Sequence, residues 1–187
     1  MLVPTVREMA RRGTPFTGLL YAGLALTAHG LKVVEFNARF GDPETQVVLA
    51  RLKTPLAGLL YAAATGDLAG HPPLEWSDQS AVTVVVAAAG YPGTPRMGDR
   101  IDGLDAAAAV PTVAVLHAGT TRTSEGVMSA GGRVLSITAL GQDLAAARDS
   151  AYAGVAEIDL PGSHHRTDIA ASAVGGQIRV PEHKRAD

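Results

Sequence analysis

Apolar and polar positions divide the chain into segments of different period. Phe16 to Leu26 and Leu31 to Asn37 are apolar-rich runs separated by Thr27-Ala28-His29-Gly30, and they predict two strands joined in a short antiparallel hairpin. Ahead of them, Val6 to Arg12 reads as the tail of a helix that Gly13 stops and Pro15 confirms. Glu44 to Leu52 predicts a short helix ended by Pro55. Leu56, Leu59, Leu60 and Ala63 then share one face of a helix over Leu56 to Thr65, with Gly66 just past its end. Asp67 to Ser80 carries Pro72, Pro73 and Trp76 without periodicity and reads as a connector.

Beyond the connector the pattern turns mostly to strands. Ala81 to Ala89 is an apolar, β-branched run closed by Gly90-Tyr91-Pro92-Gly93. A short strand is predicted at Ile101, another from Thr112 to His117, and a polar hairpin from Thr120 to Ser129. Gly131-Gly132 turns the chain into a strand over Arg133 to Leu140. Leu144, Ala147, Ala151, Val155 and Ile158 lie near one face of a helix from Asp143 to Ile158, and the tail from Pro161 has little period. The pattern predicts an α+β fold with three stretches: residues 1–66, a connector over 67–80, and a β-rich domain with one helix and an irregular tail over 81–187.

Composition narrows the function classes. With 187 residues the chain can hold one domain or two small ones. Sixteen Lys and Arg against eighteen Asp and Glu leave no electrostatic footprint for nucleic acid or an anionic membrane. The absence of cysteine excludes disulfides and thiolate chemistry. Gly13 to Leu31 holds no formally charged residue, but Pro15, its glycines and His29 mark it as strands and not as a membrane span. No signal peptide is legible at Met1-Leu2-Val3-Pro4, and a cytoplasmic location is expected.

The densest polar chemistry lies between Val33 and Gln46, where a strand gives way to a helix. Alternation puts Glu35 and Asn37 on one strand face, with Val34 and Phe36 burying the other. A carboxylate beside an amide oxygen is a hard donor pair suited to Mg²⁺. Arg39 follows in the same rhythm, and its planar fork can grip a phosphate or carboxylate. Asp42-Pro43 reads as N-cap and first helical residue, with Glu44 in the first turn. The competing reading is a solvated strand edge with Arg39 as a salt-bridge partner. Elsewhere, Tyr91-Pro92-Gly93 reads as a turn, His117 as a strand-end histidine that can face a cleft, and His29 as an exposed turn residue. His164, His165 and Asp168 match no familiar zinc spacing.

Several of these pieces line up with one family. Thr14-Pro-Phe-Thr-Gly-Leu-Leu-Tyr-Ala-Gly-Leu24, Val34-Glu-Phe-Asn-Ala-Arg-Phe-Gly-Asp-Pro-Glu-Thr-Gln46, Gly90-Tyr-Pro-Gly93, His117-Ala-Gly-Thr120, Gly131-Gly-Arg-Val-Leu135 and His165-Arg-Thr-Asp-Ile169 occur in order. Across nearly its whole length the chain resembles the C-terminal part of the phosphoribosylamine–glycine ligases, ATP-grasp enzymes of purine synthesis. The resemblance implies that residues 1–66 are the end of an ATP-grasp domain, with antiparallel strands backed by helices. It also implies ATP as co-substrate, Mg²⁺ or Mn²⁺ as cofactor, and glycine and 5-phosphoribosylamine as small-molecule substrates.

By the same resemblance Glu35 and Asn37 are the metal ligands. Arg39 is the expected holder of the reacting phosphoryl group or glycine carboxylate, and Gly41, Asp42, Pro43 and Glu44 line that pocket. Two carboxylates at a helix N-terminus are a tension there, since that end favours anions. Family members are more than twice as long, so the chain reads as a fragment that lacks the N-terminal domain and most of the nucleotide lid. It is expected to be inactive alone, and strands near Phe16 to Asn37 are expected to leave an exposed edge or apolar patch. Ala170 stands where the family usually has glycine. The alternatives are another ATP-grasp carboxylate–amine ligase, or a non-catalytic module that completes missing domains in trans.

Overall fold

The computed structural model describes residues 1–27 and 29–178. The chain divides into two compact units, one of Met1–Thr45 and Leu52–Trp76, the other of Gln46–Arg51 and Ser77–Ile178.

In the first unit, helix α1 spans Leu2–Arg11, four residues earlier than the apolar pattern predicts, because Pro4 is tolerated in a first turn. Glu8 accepts from Arg11 and Arg12 at 2.7 Å or less and ties its last turn. Strands β1 (Tyr21–Thr27) and β2 (Gly30–Asn37) pair antiparallel, from Tyr21 opposite Asn37 to Thr27 opposite Gly30. The predicted strand from Phe16 thus starts at Tyr21, since β2 ends at Asn37 and offers nothing earlier to pair with. The register slips between Gly23 and Leu24, which leaves Val34 without a partner. Ala28 of the predicted turn lies outside the described residues.

Helix α2 covers Glu44–Arg51, and its first two residues count with the first unit. Asp42 and Pro43 immediately precede it, so the helix begins one residue after the Pro43 start that the sequence suggests. The turn opens with the Thr45 N–H on the Gly41 carbonyl. Helix α3 runs over Leu56–Thr65 as its apolar face predicts and is closed by left-handed Gly66, whose N–H reaches back to Ala62 and Ala63. In the connector, one turn of 3-10 helix at Leu68–Gly70 leads to Trp76, which bridges Leu52.

Val34 and Phe36 do not bury a face. Val34 is 71% exposed and Phe36 40%, and Leu24, Leu26, Leu31 and Val33 are exposed too. Alternation fixes which residues share a side of a strand, but burial needs a second layer. The sheet has two strands only, and nothing described in this unit covers that apolar surface. The exposed patch expected of this hairpin is there.

The second unit has its own core. Strand β3 (Ser80–Ala87), helix α4 (Leu104–Ala109), strand β4 (Val113–His117), the hairpin β5 (Thr120–Thr123) and β6 (Gly126–Ser129), strand β7 (Arg133–Gly141), helix α5 (Leu144–Ala156) and a short α6 (Ala171–Val174) follow in order. The main sheet has the order β3-β7-β4, and both outer strands run antiparallel to β7. Val82, Val84 and Val86 meet Leu135, Ile137 and Ala139 in the core with Ala147, Ala151 and Val155 of α5. Small residues on α5 let it lie close to the sheet. Asp143 caps it, accepting from the Ala146 N–H at 2.8 Å. Buried Thr138 shares a 2.8 Å hydrogen bond with Thr83, so neither hydroxyl is stranded.

Two readings of this unit change. Ile101 is no strand: single bridges at Arg100 to Met128 and Asp102 to Asp159 hold the chain there. The pattern also misses α4, which follows left-handed Gly103 and owes its form to four consecutive alanines. In the tail, Ala170 opens α6 with φ of 61° and ψ of −3°. Its carbonyl accepts from Ala173 and Val174. A side chain in this left-handed conformation is strained by about 1 kcal/mol. Ala170→Gly is therefore expected to raise Tm by roughly 5 °C in a thermal melt. An unchanged or lower Tm would show that glycine's extra freedom in the unfolded chain outweighs the relieved strain.

Candidate active site

The site is built on the last residues of β2. Asn37 donates through Nδ2 to Oε1 of Glu35 at 2.7 Å, which puts the two side chains on the same face as the alternation requires. Tyr21 stands opposite Asn37 and Gly23 opposite Glu35, so the strand β1 adds its own residues to that face. Gly23 keeps the space over Glu35 open: a Cβ there would lie 3.2 Å from Glu35 Cγ. Glu44 folds back over Gly41, where a Cβ would come within 2.5 Å of Glu44 Oε2. The absence of a side chain at Gly41 is thus what lets this carboxylate turn inward.

Tyr21 is the residue that sequence reasoning missed. Desolvation pushes its phenol up from the ordinary tyrosine range, and the neighbouring Glu44, to which it donates, and Glu35 push the same way. Arg39 acts in the opposite direction. Tyr21, Glu35, Arg39 and Glu44 therefore sense one another across a single small area. The hydrogen bond to Tyr21 gives one of the two helix-start carboxylates a partner. With Glu44→Gln the phenol is expected to titrate at lower pH than in the wild type, read from tyrosinate absorbance with Tyr21→Phe as the blank. A midpoint that does not move would remove Glu44 from the environment of Tyr21.

Arg39 is exposed and donates to the carbonyl of Phe40 at 2.8 Å, which orients its guanidinium with most of its N–H groups left to other acceptors. Gly41 is buried, Pro43 half-buried, and Asp42 and Glu44 exposed. The side chains suit a hard divalent cation, which a Glu35 carboxylate oxygen and the Asn37 amide oxygen would hold from one strand face; here the Asn37 amide instead turns its Nδ2 to Glu35. Among the described residues no group of three or more His, Cys, Asp or Glu could hold a metal ion by itself. Waters and oxygens of a bound substrate would complete a coordination shell here, as is usual for Mg²⁺ at phosphate sites.

The other singled-out residues fall in the second unit. His117 is exposed at the end of β4, with Nδ1 3.1 Å from Thr120 Oγ1. Asp168 pairs with Arg166 at 2.6 Å, and that hydrogen bond holds its carboxyl below the usual range; among the described residues it forms no metal-holding group with His164 and His165. His164 pairs through its backbone with Ala87, and His165 lies with its ring 6.0 Å from that of Tyr152. Arg148, stacked on Tyr152 at 4.6 Å, donates to the carbonyls of Thr167 and Ile169 and fixes this loop on α5. No helix among the described residues is long and apolar enough to cross a membrane.

The model for the phosphoribosylglycinamide synthetase ATP-grasp (A) domain matches residues 1–45, and the one for the C domain of the same synthetase matches residues 81–172. The chain belongs to the phosphoribosylglycinamide synthetase family. It is 70% identical over 177 residues to the phosphoribosylamine–glycine ligase of Streptomyces coelicolor, covering 94% of this chain and 42% of that protein. The ligase of Mycobacterium tuberculosis is 56% identical over 178 residues, covering 95% and 41%. The crystal structure of the Thermotoga maritima phosphoribosylamine–glycine ligase superposes with a TM-score of 0.72 at 30% identity, over 87% of this chain and 39% of that one. A more distant likeness, to N5-carboxyaminoimidazole ribonucleotide synthetase from the same organism, has a TM-score of 0.55 at 17% identity over 84% and 41% of the two chains and shows shared fold alone. This member of the synthetase family thus spans about two-fifths of the length of the curated relatives it matches.

Proposed function

We propose that the chain forms the metal- and phosphoryl-handling part of an ATP-dependent ligase that joins glycine to 5-phosphoribosylamine. In the reaction ATP phosphorylates the glycine carboxylate, releasing ADP. The amine of 5-phosphoribosylamine then attacks the acyl carbon of glycyl phosphate, phosphate leaves, and glycinamide ribonucleotide forms. The observation that carries the reading is the shared face of Glu35 and Asn37 beside Arg39 and Glu44.

Glu35 and Asn37 are the residues that hold Mg²⁺ or Mn²⁺, which when bound offsets negative charge on the phosphates of ATP. Arg39 grips the migrating phosphoryl group or the glycine carboxylate with the N–H groups that Phe40 leaves unused. Gly41, Asp42, Pro43 and Glu44 line the substrate pocket, and a carboxylate of Asp42 or Glu44 meets the ammonium of glycine. Tyr21, kept protonated, fixes Glu44 by its hydrogen bond. In this reading residues 1–66 end the ATP-grasp domain, 67–80 connect, and 81–187 form the C-terminal domain of a cytoplasmic purine-synthesis enzyme.

The chain covers 42% of its Streptomyces relative, and this favours a second reading, a module active only with the remaining segments supplied. Mixing tests both. The purified chain is expected to release no ADP in the presence of ATP, Mg²⁺, glycine and 5-phosphoribosylamine, and the remaining segments supplied in trans are expected to restore release. Activity of the chain alone would overturn the module reading. A completed chain that prefers another carboxylate to glycine would overturn the ligase assignment.

A further inference from the structure

Three carboxylates, Glu35, Asp42 and Glu44, follow one another closely from the end of β2 to the start of α2. Hard cations are commonly held by several such groups. Among the described residues, however, no three acidic or histidine side chains come together as a metal cluster. Two features of the fold keep Glu44 to a place of its own.

The first is a vacancy. A Cβ on Gly41 would come within 2.5 Å of Glu44 Oε2 and 3.2 Å of its Cβ. The carboxylate therefore lies in the space that a side chain at position 41 would fill.

The second is Tyr21. It shares a strand face with Gly23, and the two stand opposite Asn37 and Glu35 in turn. With no side chain at Gly23, the Tyr21 ring and the stem of Glu35 close in over the same spot. A Cβ there would lie 3.7 Å from Tyr21 Cε1 and 3.2 Å from Glu35 Cγ. From this position the phenol donates to Glu44. A hydroxyl bound to a carboxylate makes one of the stronger hydrogen bonds, and a carboxylate engaged in it is less free to turn to a metal. Tyr21 thus stands beside the two expected cation ligands with its hydroxyl directed at a different carboxylate.

We propose that Tyr21 is a positioning residue for the ligase reaction, which keeps Glu44 out of the coordination shell of the cation held by Glu35 and Asn37. The inference rests on the ligase reading and gives a reason for its sparse ligand set. With one carboxylate and one amide from the protein, the other positions stay open to waters and substrate oxygens. A second carboxylate there would put negative charge next to the phosphates that the cation has to accept.

Mn²⁺ binding to the chain without nucleotide tests it, with free Mn²⁺ read from its electron paramagnetic resonance signal. Tyr21→Phe removes the hydroxyl and keeps the ring, so Glu44 is released and Mn²⁺ is expected to bind about tenfold more tightly. Adding Glu44→Gln to Tyr21→Phe is expected to abolish that gain. Gly41→Ala displaces the same carboxylate without touching Tyr21 and is expected to tighten binding too, which carries the test where Tyr21→Phe does not fold. A tyrosine that only supports the hairpin predicts the opposite sign, since loosening the hairpin weakens a site built on it. Unchanged or weaker binding by a folded Tyr21→Phe chain, or a gain that survives Glu44→Gln, overturns the role of Tyr21. A wild-type chain with no saturable Mn²⁺ site, or with one that Glu35→Ala leaves intact, overturns the cation reading itself and this inference with it.

Discussion

Replacing Glu35 by alanine in the chain completed with the segments its relatives carry is expected to lower glycine-dependent ADP release at least about 100-fold, or about 2.7 kcal/mol of transition-state stabilisation. The reason is the donor count. Asn37 is the one other residue assigned to the cation, and the described residues offer no cluster that could take over. Excess Mn²⁺ is expected to recover part of the loss, because the remaining amide and substrate oxygens still form a weak site. Asn37→Ala should cost less, since a neutral donor contributes less than a carboxylate. Initial rates against metal concentration decide the matter. A variant with wild-type rates and an unchanged metal requirement would place the cation elsewhere.

The largest expected loss of stability is at Gly103. It adopts φ of 80°, and a Cβ there would lie 1.8 Å from the backbone oxygen of Glu157. Neither atom can yield cheaply, because Asp102 and Asp159 exchange backbone hydrogen bonds beside the contact. Gly103→Ala therefore combines left-handed strain of about 1 kcal/mol with overpacking of about 1–3 kcal/mol. A fall in Tm of roughly 10–20 °C is expected, read by circular dichroism. Gly98 has nearly the same φ, 84°, with nothing within 4 Å of its would-be Cβ. Gly98→Ala is expected to show the conformational part alone, about 1 kcal/mol. Equal losses at the two glycines would refute the steric argument.

How far the site was legible in sequence follows from the range of each signal. Glu35 and Asn37 could be placed together because a strand repeats every two residues, a rule that needs no neighbour. Tyr21 could not, because it reaches the site through strand pairing 16 residues away from Asn37, and nothing local marks that register. Burial of Val34 and Phe36 was misjudged for a related reason: alternation sorts side chains by face and says nothing of what lies above a face. Local chemistry located α3 and its Gly66 stop, whereas Asp42-Pro43 resembled a helix start and lies just before one.

The hairpin leaves Leu24, Leu31, Val34 and Phe36 against solvent. Produced alone, the polypeptide is thus expected to behave as a client of holdase chaperones, to bind hydrophobic dyes, and to lose solubility as it is concentrated. Its yield when produced alone will depend on how soon that surface is covered relative to the action of quality-control proteases.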